Sequence, residues 1–219
     1  DLLWGGDIKT FHPPAGVFDG VIGGPPCQVF SVLKRLNPKA GKHGNLIPEF
    51  ERVVGEVRPR WFVMENVPAA PMPCVKDYGV TRAPLDNRQL GEAQSRPRIF
   101  LFGRKYSPGV HLRIPTVALE SIEYSPAVCS DARQVPAAIG GSGKPKRIQA
   151  RGGYRQGPGM GPRMSVAKML ELQGFPGDML DECPFTAEGK RKAIGNGVPL
   201  PMGRAIAKAV RRALEEQAA

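Results

Sequence analysis

Val17-Phe18-Asp19-Gly20-Val21-Ile22-Gly23-Gly24-Pro25-Pro26-Cys27-Gln28 is the stretch on which the reading of this chain turns. A short apolar run stops in a Gly- and Pro-rich loop, and the loop delivers a thiol. Downstream, Phe50, Val53, Val54 and Val57 recur at i, i+3, i+4 and i+7, one face of an amphipathic helix over Ile47 to Val57. Arg58-Pro59 ends it, and Trp61-Phe62-Val63-Met64 reads as a second buried strand. Strand, helix and strand in this order predict a βαβ unit, hence an α/β fold with a parallel sheet. Ile99-Phe100-Leu101-Phe102 reads as a third strand closed by Gly103.

Further along, Ser165 is placed to cap a helix carrying Val166, Met169, Leu170 and Leu172 that ends near Gly174 and Pro176. A last helix from about Pro201 to Gln217 gathers Ala205, Ile206, Ala209, Val210, Ala213 and Leu214 on one side. The segment between, about Lys105 to Pro162, is rich in Gly, Pro, Ser and basic residues. Its Gly140-Gly141-Ser142-Gly143-Lys144-Pro145-Lys146-Arg147 stretch is expected to be a mobile loop.

The 219 residues carry 31 Lys+Arg against 20 Asp+Glu, a formal net charge of +11, which suggests a polyanionic partner. With 41% hydrophobic and 23% charged residues, the chain is neither disordered nor a membrane protein by composition. No apolar run approaches the ~18 residues of a membrane span, and Asp1 to Asp7 lacks the pattern of a signal peptide. Four cysteines, at 27, 74, 129 and 183, form no C-x-x-C pair, and the three histidines do not cluster with them, so no metal site is expected. The thiols read as those of a reduced cytosolic protein.

In an open parallel sheet, ligands gather at the carboxyl ends of the strands. Two segments with reactive groups follow predicted strands: Pro25-Pro26-Cys27-Gln28 and Glu65-Asn66-Val67-Pro68. The stretch between them is long enough for a crossover helix, so a thiol and a carboxylate would project into one crevice. A thiolate attacks electron-poor carbon well. Arg96 and Arg98, in Gln94-Ser95-Arg96-Pro97-Arg98, are candidates to stabilise the thiolate or a developing negative charge. Taken singly, each has a bland counterpart: a buried small thiol, a loop-capping Glu, surface arginines.

Taken together and in order, Pro25-Pro26-Cys27-Gln28, Glu65-Asn66-Val67, Gln94-x-Arg96-x-Arg98 and Gly195-Asn196-Gly197-Val198-Pro199 resemble the cytosine-5 DNA methyltransferases. Gly6-Asp7-Ile8 and Gln173-Gly174-Phe175-Pro176 add to the match. The resemblance implies a Rossmann-like S-adenosylmethionine-dependent methyltransferase fold. It would be truncated at the N-terminus, with a partial catalytic α/β domain over 1–104, a short irregular target-recognition region over 105–162, and C-terminal helices over 163–219 that return to the catalytic domain. Cys27 would be the nucleophile toward carbon 6 of a flipped-out cytosine, and Glu65 would contact ring nitrogen 3. Arg98 would hold the ring, and Arg96 would help or contact a phosphate.

S-adenosylmethionine would be the methyl donor, met by Asp7 at the adenine amino group, by Ile8, Pro26 and Leu46, and by Asn196, Gly197 and Val198 folding back from the far end of the chain. Gln28, Ser31, Asn66 and Gln94 would lie near the DNA, and Lys34 and Arg35 belong to a basic stretch matching the family's mobile loop. Double-stranded DNA is the implied partner, bound by a monomer, in a bacterial or phage-encoded cytoplasmic restriction-modification setting. The family's Phe-x-Gly-x-Gly cofactor loop and the following strand are absent, and the chain starts without Met, so a missing N-terminal segment is expected. A DNA-binding remnant without activity and a tRNA cytosine methyltransferase remain as alternatives. Thymidylate synthases also attack carbon 6 through a Pro-Cys pair, but there His follows the Cys, where this chain has Gln28.

Overall fold

A computed structural model describes residues 6–26, 30, 44–92, 94–118 and 164–216. The Gly140–Arg147 stretch, most of the expected target-recognition region, and Cys27, Gln28, Ser31, Lys34 and Arg35 lie outside the described residues.

Residues Asp1–Leu85, Pro97–Ile114 and Ile206–Ala219 form one compact unit; Asp86–Arg96 and Pro115–Ala205 form a second. In the first unit, strand β1 is Gly20–Gly23, helix α1 Ile47–Val57, strand β2 Trp61–Asn66, strand β3 Tyr78–Asp86 and strand β4 Pro97–Lys105, with a 3-10 turn over Ile8–Thr10. The sheet order is β1-β2-β4-β3. β1 and β2 run parallel, from Gly20↔Trp61 to Gly23↔Met64, as the strand-helix-strand pattern predicts.

Helix α1 buries Ile47, Phe50, Val53, Val54 and Val57, the face its periodicity marks. Pro48 occupies its first turn, where the missing N–H costs nothing. Arg58 stops it in the left-handed region at φ 53°, its N–H donating to the Val54 carbonyl.

Two features of the sheet depart from expectation. β4 contains the predicted third strand but runs antiparallel to β2, from Trp61↔Arg104 to Asn66↔Ile99. A parallel return needs a crossover of a dozen or more residues, usually a helix. Here the chain between β2 and β4 is used instead for β3 and a 3-10 turn over Asn87–Leu90. β3 itself was hidden by Arg82 and Pro84, which point outward while Thr81, Ala83 and Leu85 alternate inward. Proline is tolerated there because β3 ends the strand order.

The core of this unit joins Phe50 and Val54 of α1 to Phe62, Met64, Ile99 and Leu101 of the sheet. The rings of Phe50 and Phe62 meet edge to face at 5.6 Å. Full burial of one such side chain contributes about 1.5–3 kcal/mol. Phe62 fits because its cross-strand partner is Gly103: a Cβ there would lie 2.1 Å from the ring.

The second unit begins at Asp86 and includes helices α2 (Val166–Leu172) and α3 (Ala187–Asn196). Ser165 caps α2 by accepting from the Lys168 N–H at 3.1 Å, as its position in the sequence suggests. Thr186 caps α3 in the same way through Gly189. Met164, Met169, Leu170 and Ile194 form an apolar cluster. This unit also has a markedly polar interior, with Gln94 and Gln173 each 1% exposed and Arg96 3% exposed. Helix α4 (Leu200–Glu215) agrees within two residues with the helix read from the sequence. No helix among the described residues is long and apolar enough to cross a membrane.

Candidate active site

The register Gly23↔Met64 brings the carboxyl ends of β1 and β2 side by side, so the Gly24-Pro25-Pro26 loop starts next to Glu65 and Asn66. The backbone at Gly24 passes close to the Glu65 side chain, since a Cβ there would lie 3.3 Å from Glu65 Oε2. Asn66 is 1% exposed. Its Nδ2 donates to the Pro25 carbonyl at 3.1 Å and its Oδ1 accepts from the Val67 N–H at 2.9 Å. Pro25 is thus pinned two residues before Cys27. Asn66, expected near the DNA, instead has both ends of its carboxamide engaged with backbone.

Arg98 enters from the start of β4. Its Nε lies 2.9 Å from Glu65 Oε1, with the two side chains 18% and 20% exposed, and its Nη1 donates to the Pro97 carbonyl at 2.8 Å. A guanidinium next to a carboxylate fixes the orientation of both. The carboxylate and the second arginine of the Gln-x-Arg-x-Arg pattern are therefore one unit in space. Pro26 is half-buried beside this loop.

The Asp7-Ile8 turn is held elsewhere in the first unit. Asp7 is exposed and caps the turn, accepting from the Lys9 N–H at 3.1 Å. Ile8 is half-buried, and its carbonyl accepts from Arg52 Nη2 at 2.7 Å. Arg52 also donates to Glu49 at 2.8 Å and Glu56 at 2.7 Å, and His12 lies 3.0 Å from Glu56. The Arg52 hydrogen bond lowers the Glu56 carboxyl pKa. Leu46 stands half-buried at the start of α1. Sequence reasoning missed Arg52 because an i, i+4 pair on a helix reads as surface charge.

In the second unit, Gln94 Nε2 donates to the Leu172 carbonyl at 2.6 Å and lies 3.4 Å from Gln173 Oε1. Gln173 Nε2 donates to the Ile194 carbonyl at 2.7 Å, and the Gln173 carbonyl accepts from the Leu200 N–H at 2.8 Å. Arg96 Nη2 donates to the carbonyls of Gly195 at 2.9 Å and Gly197 at 2.7 Å. The Arg96 N–H donates to Asp86 Oδ1 at 3.2 Å, and Asp86 also pairs with the Arg88 guanidinium at 3.0 Å. Burial pushes the Asp86 carboxyl up, but the Arg88 side chain and the Arg88 and Arg96 N–H donors together hold it below its ordinary value.

So Gln94, expected at the DNA, and Arg96, expected at the reacting ring or a phosphate, are both placed inside this unit. Asn196 is exposed, and Gly197 and Val198 are half-buried. Asp86 was also missed. Its signal was present in Asp86-Asn87-Arg88-Gln89, which forms a capping box with Gln89. Among the described residues, no group of three or more His, Cys, Asp or Glu side chains gathers as a metal site.

Residues 5–71 match the family model of the C-5 cytosine-specific DNA methylases. The chain is 36% identical over 121 residues to the type II methyltransferase M.HindV of Haemophilus influenzae, an alignment covering 51% of this chain and 38% of that protein. To the type II methyltransferase M.DdeI of Desulfomicrobium norvegicum it is 31% identical over 176 residues, covering 68% of this chain and 42% of that one. The chain thus spans well under half the length of these relatives. In fold it is similar to the Dnmt2 methyltransferase of S. pombe, at a TM-score of 0.58 and 16% identity over 95% of this chain and 83% of that one. The ordered Pro-Cys-Gln, Glu-Asn-Val, Gln-x-Arg-x-Arg and Gly-Asn-Gly-Val segments, a mixed α/β sheet that sets Glu65 against Arg98, and these likenesses agree: the chain belongs to the C-5 cytosine-specific DNA methylase family.

Proposed function

We propose that this chain is the catalytic part of a DNA cytosine-5 methyltransferase that works through a covalent Cys27 adduct. The observation that carries the reading is the Glu65–Arg98 pair at 2.9 Å beside a loop that Asn66 holds at Pro25. A positioned nucleophile, an acidic group and a cation are what attack on an electron-poor ring requires.

In this reading the Cys27 thiolate adds to carbon 6 of cytosine, forming an S–C bond and pushing the carbon 5–carbon 6 π electrons toward carbon 5. Glu65, in its carboxylic acid form, donates its proton to ring nitrogen 3 and so neutralises the charge arriving there, and takes the proton back when the ring double bond is restored. Arg98, already on Glu65, orients that carboxyl group and faces the charge that develops on the ring. In the first unit the residues present suit an adenosine-bearing donor: Asp7 offers an exposed carboxylate to an amino group, and Ile8, Leu46 and Pro26 offer half-buried surface. The family resemblance assigns Asn196, Gly197 and Val198 to the same donor. S-adenosylmethionine supplies, when bound, the electrophilic methyl group that carbon 5 takes up. Loss of the carbon 5 proton then restores the double bond and expels Cys27.

The target carbon is out of reach in a stacked duplex, so the cytosine must be flipped out at a cost of a few kcal/mol. The net charge of +11 suits the phosphates. Gln28, Ser31, Lys34 and Arg35 follow the nucleophile and are assigned to the DNA side, in the cytoplasm of a bacterium or of a phage-infected cell.

The test is DNA carrying 5-fluorocytosine at the target, incubated with cofactor. Fluorine cannot leave as a proton does, so a denaturant-stable protein–DNA adduct is expected, and Cys27→Ala should abolish it while retaining DNA binding. An adduct that persists in Cys27→Ala, or methylation by that variant, would remove the proposal.

A further inference from the structure

Side chains from outside the helix hold three backbone carbonyls at the end of α3. The carbonyl of Ile194 receives Gln173 Nε2, and those of Gly195 and Gly197 receive Arg96 Nη2 at 2.9 and 2.7 Å. Carbonyls in the last turn of a helix lack the i+4 donor, but the Gly197 N–H already reaches Ile194 and water would serve the others, so side chains 21 to 101 residues away are not needed merely to end the helix. Arg96 is 3% exposed. Burying a guanidinium costs several kcal/mol of desolvation unless its donors are used. An apolar side chain would fill the space without that cost. What it could not do is fix two carbonyls on either side of one residue, and that residue, Asn196, is exposed. Arg96 is itself set in place: Asp86 accepts from its N–H, and Asp86 is held by Arg88.

We infer that Arg96 is a positioning residue for the methyl donor, gripping the carbonyls of Gly195 and Gly197 so that Asn196 and Val198 are presented to the cofactor, with Asp86 supporting Arg96 and Gln173 holding the neighbouring Ile194 carbonyl. This rests on the reading that the Gly195–Val198 segment meets S-adenosylmethionine. It separates the two arginines of the Gln-x-Arg-x-Arg pattern: Arg98 works on the Glu65 side, while Arg96 works through backbone. Both carbonyls are met by one nitrogen, Nη2, at the tip of the rigid guanidinium plane; a lysine at 96 keeps the charge, but its ammonium ends one bond short of that position on a flexible stem, so it weakens both contacts.

The experiment uses the protein carrying this chain, with Arg96→Lys and the milder Asp86→Asn. Three readouts are needed: cofactor affinity by calorimetric titration, the KM and kcat of methylation, and tritium release from [5-³H]cytosine DNA without cofactor. The last reads Cys27 addition alone, since a solvent proton can replace tritium at carbon 5 before the thiolate leaves. For Arg96→Lys the cofactor Kd and KM should rise about tenfold, equivalent to about 1.4 kcal/mol. The kcat at saturating cofactor and the tritium release should stay within about twofold. Asp86→Asn should shift the same constants by about threefold, in the same direction.

If Arg96→Lys lowers tritium release and kcat together with KM unchanged, Arg96 acts at the ring and the inference is overturned. Should Arg96→Lys fail to fold, Asp86→Asn decides, and unchanged cofactor affinity in that variant overturns it equally. Absence of both cofactor binding and tritium release in the unaltered protein would instead bring down the methyltransferase reading itself.

Discussion

Replacing Asn66 by alanine should separate the stability of the first unit from the placement of its proposed nucleophile, Cys27. Asn66 is buried, and the change removes two hydrogen bonds, Nδ2 to the Pro25 carbonyl at 3.1 Å and Oδ1 to the Val67 N–H at 2.9 Å. At about 1 kcal/mol net for each bond, the loss is about 2 kcal/mol. For a chain of this size that lowers Tm by about 4–8 °C. The effect on methylation should be larger than stability alone accounts for. Without the tether the chain two residues before Cys27 gains freedom, and a misplacement of about 1 Å can cost on the order of 10²-fold in rate. Gly103→Ala is the matched control. It drives a Cβ to within 2.1 Å of the Phe62 ring, which should destabilise by a comparable ~1–3 kcal/mol without touching Pro25. Thermal unfolding followed by circular dichroism and single-turnover methylation below Tm give the two quantities. Equal residual activity in the two variants would refute the claim that Asn66 positions the nucleophile loop.

Other outcomes follow from the same contacts. Glu65→Gln keeps the shape but removes the charge facing Arg98. Chemical denaturation should shift by no more than about 1 kcal/mol because the pair is partly exposed, while the methylation rate should fall by about 10²- to 10⁴-fold; a variant with unaltered rate would remove Glu65 from the chemistry. The Asp86 carboxyl is held below its ordinary value in the folded chain. Its contribution to stability is therefore full above the ordinary carboxylate range and is lost as pH falls through the lowered value. Urea unfolding from about pH 7 down to about pH 3 should show Asp86→Asn less stable at neutral pH and less acid-sensitive than the unaltered chain; parallel curves would contradict this.

The local elements were legible because each is written in a short window. The β1-α1-β2 unit follows from an apolar run, a 3.6-residue period and Arg58-Pro59, and α2 follows from Ser165 with its apolar face. β3 was missed because Arg82 and Pro84 break its apolar character, although its alternation was there to be read. The members of the candidate site were legible for a different reason. Pro25 to Gln28, Glu65 to Val67, Gln94 to Arg98 and Gly195 to Val198 form an ordered pattern, and order along the chain survives translation into sequence.

What the chain by itself determined is therefore the family, the parallel pair β1 and β2, and the residue types at the strand ends. What only the tertiary structure decided is which of those residues touch. It gave β4 its antiparallel direction, set Arg98 on Glu65, turned Asn66 inward to Pro25 and placed Arg96 on the Gly195 and Gly197 carbonyls. Residue spacing fixes periodicity and strand ends, which are local. Whether a guanidinium meets a carboxylate or a backbone carbonyl a hundred residues away depends on register and burial, and those exist only once the chain has folded.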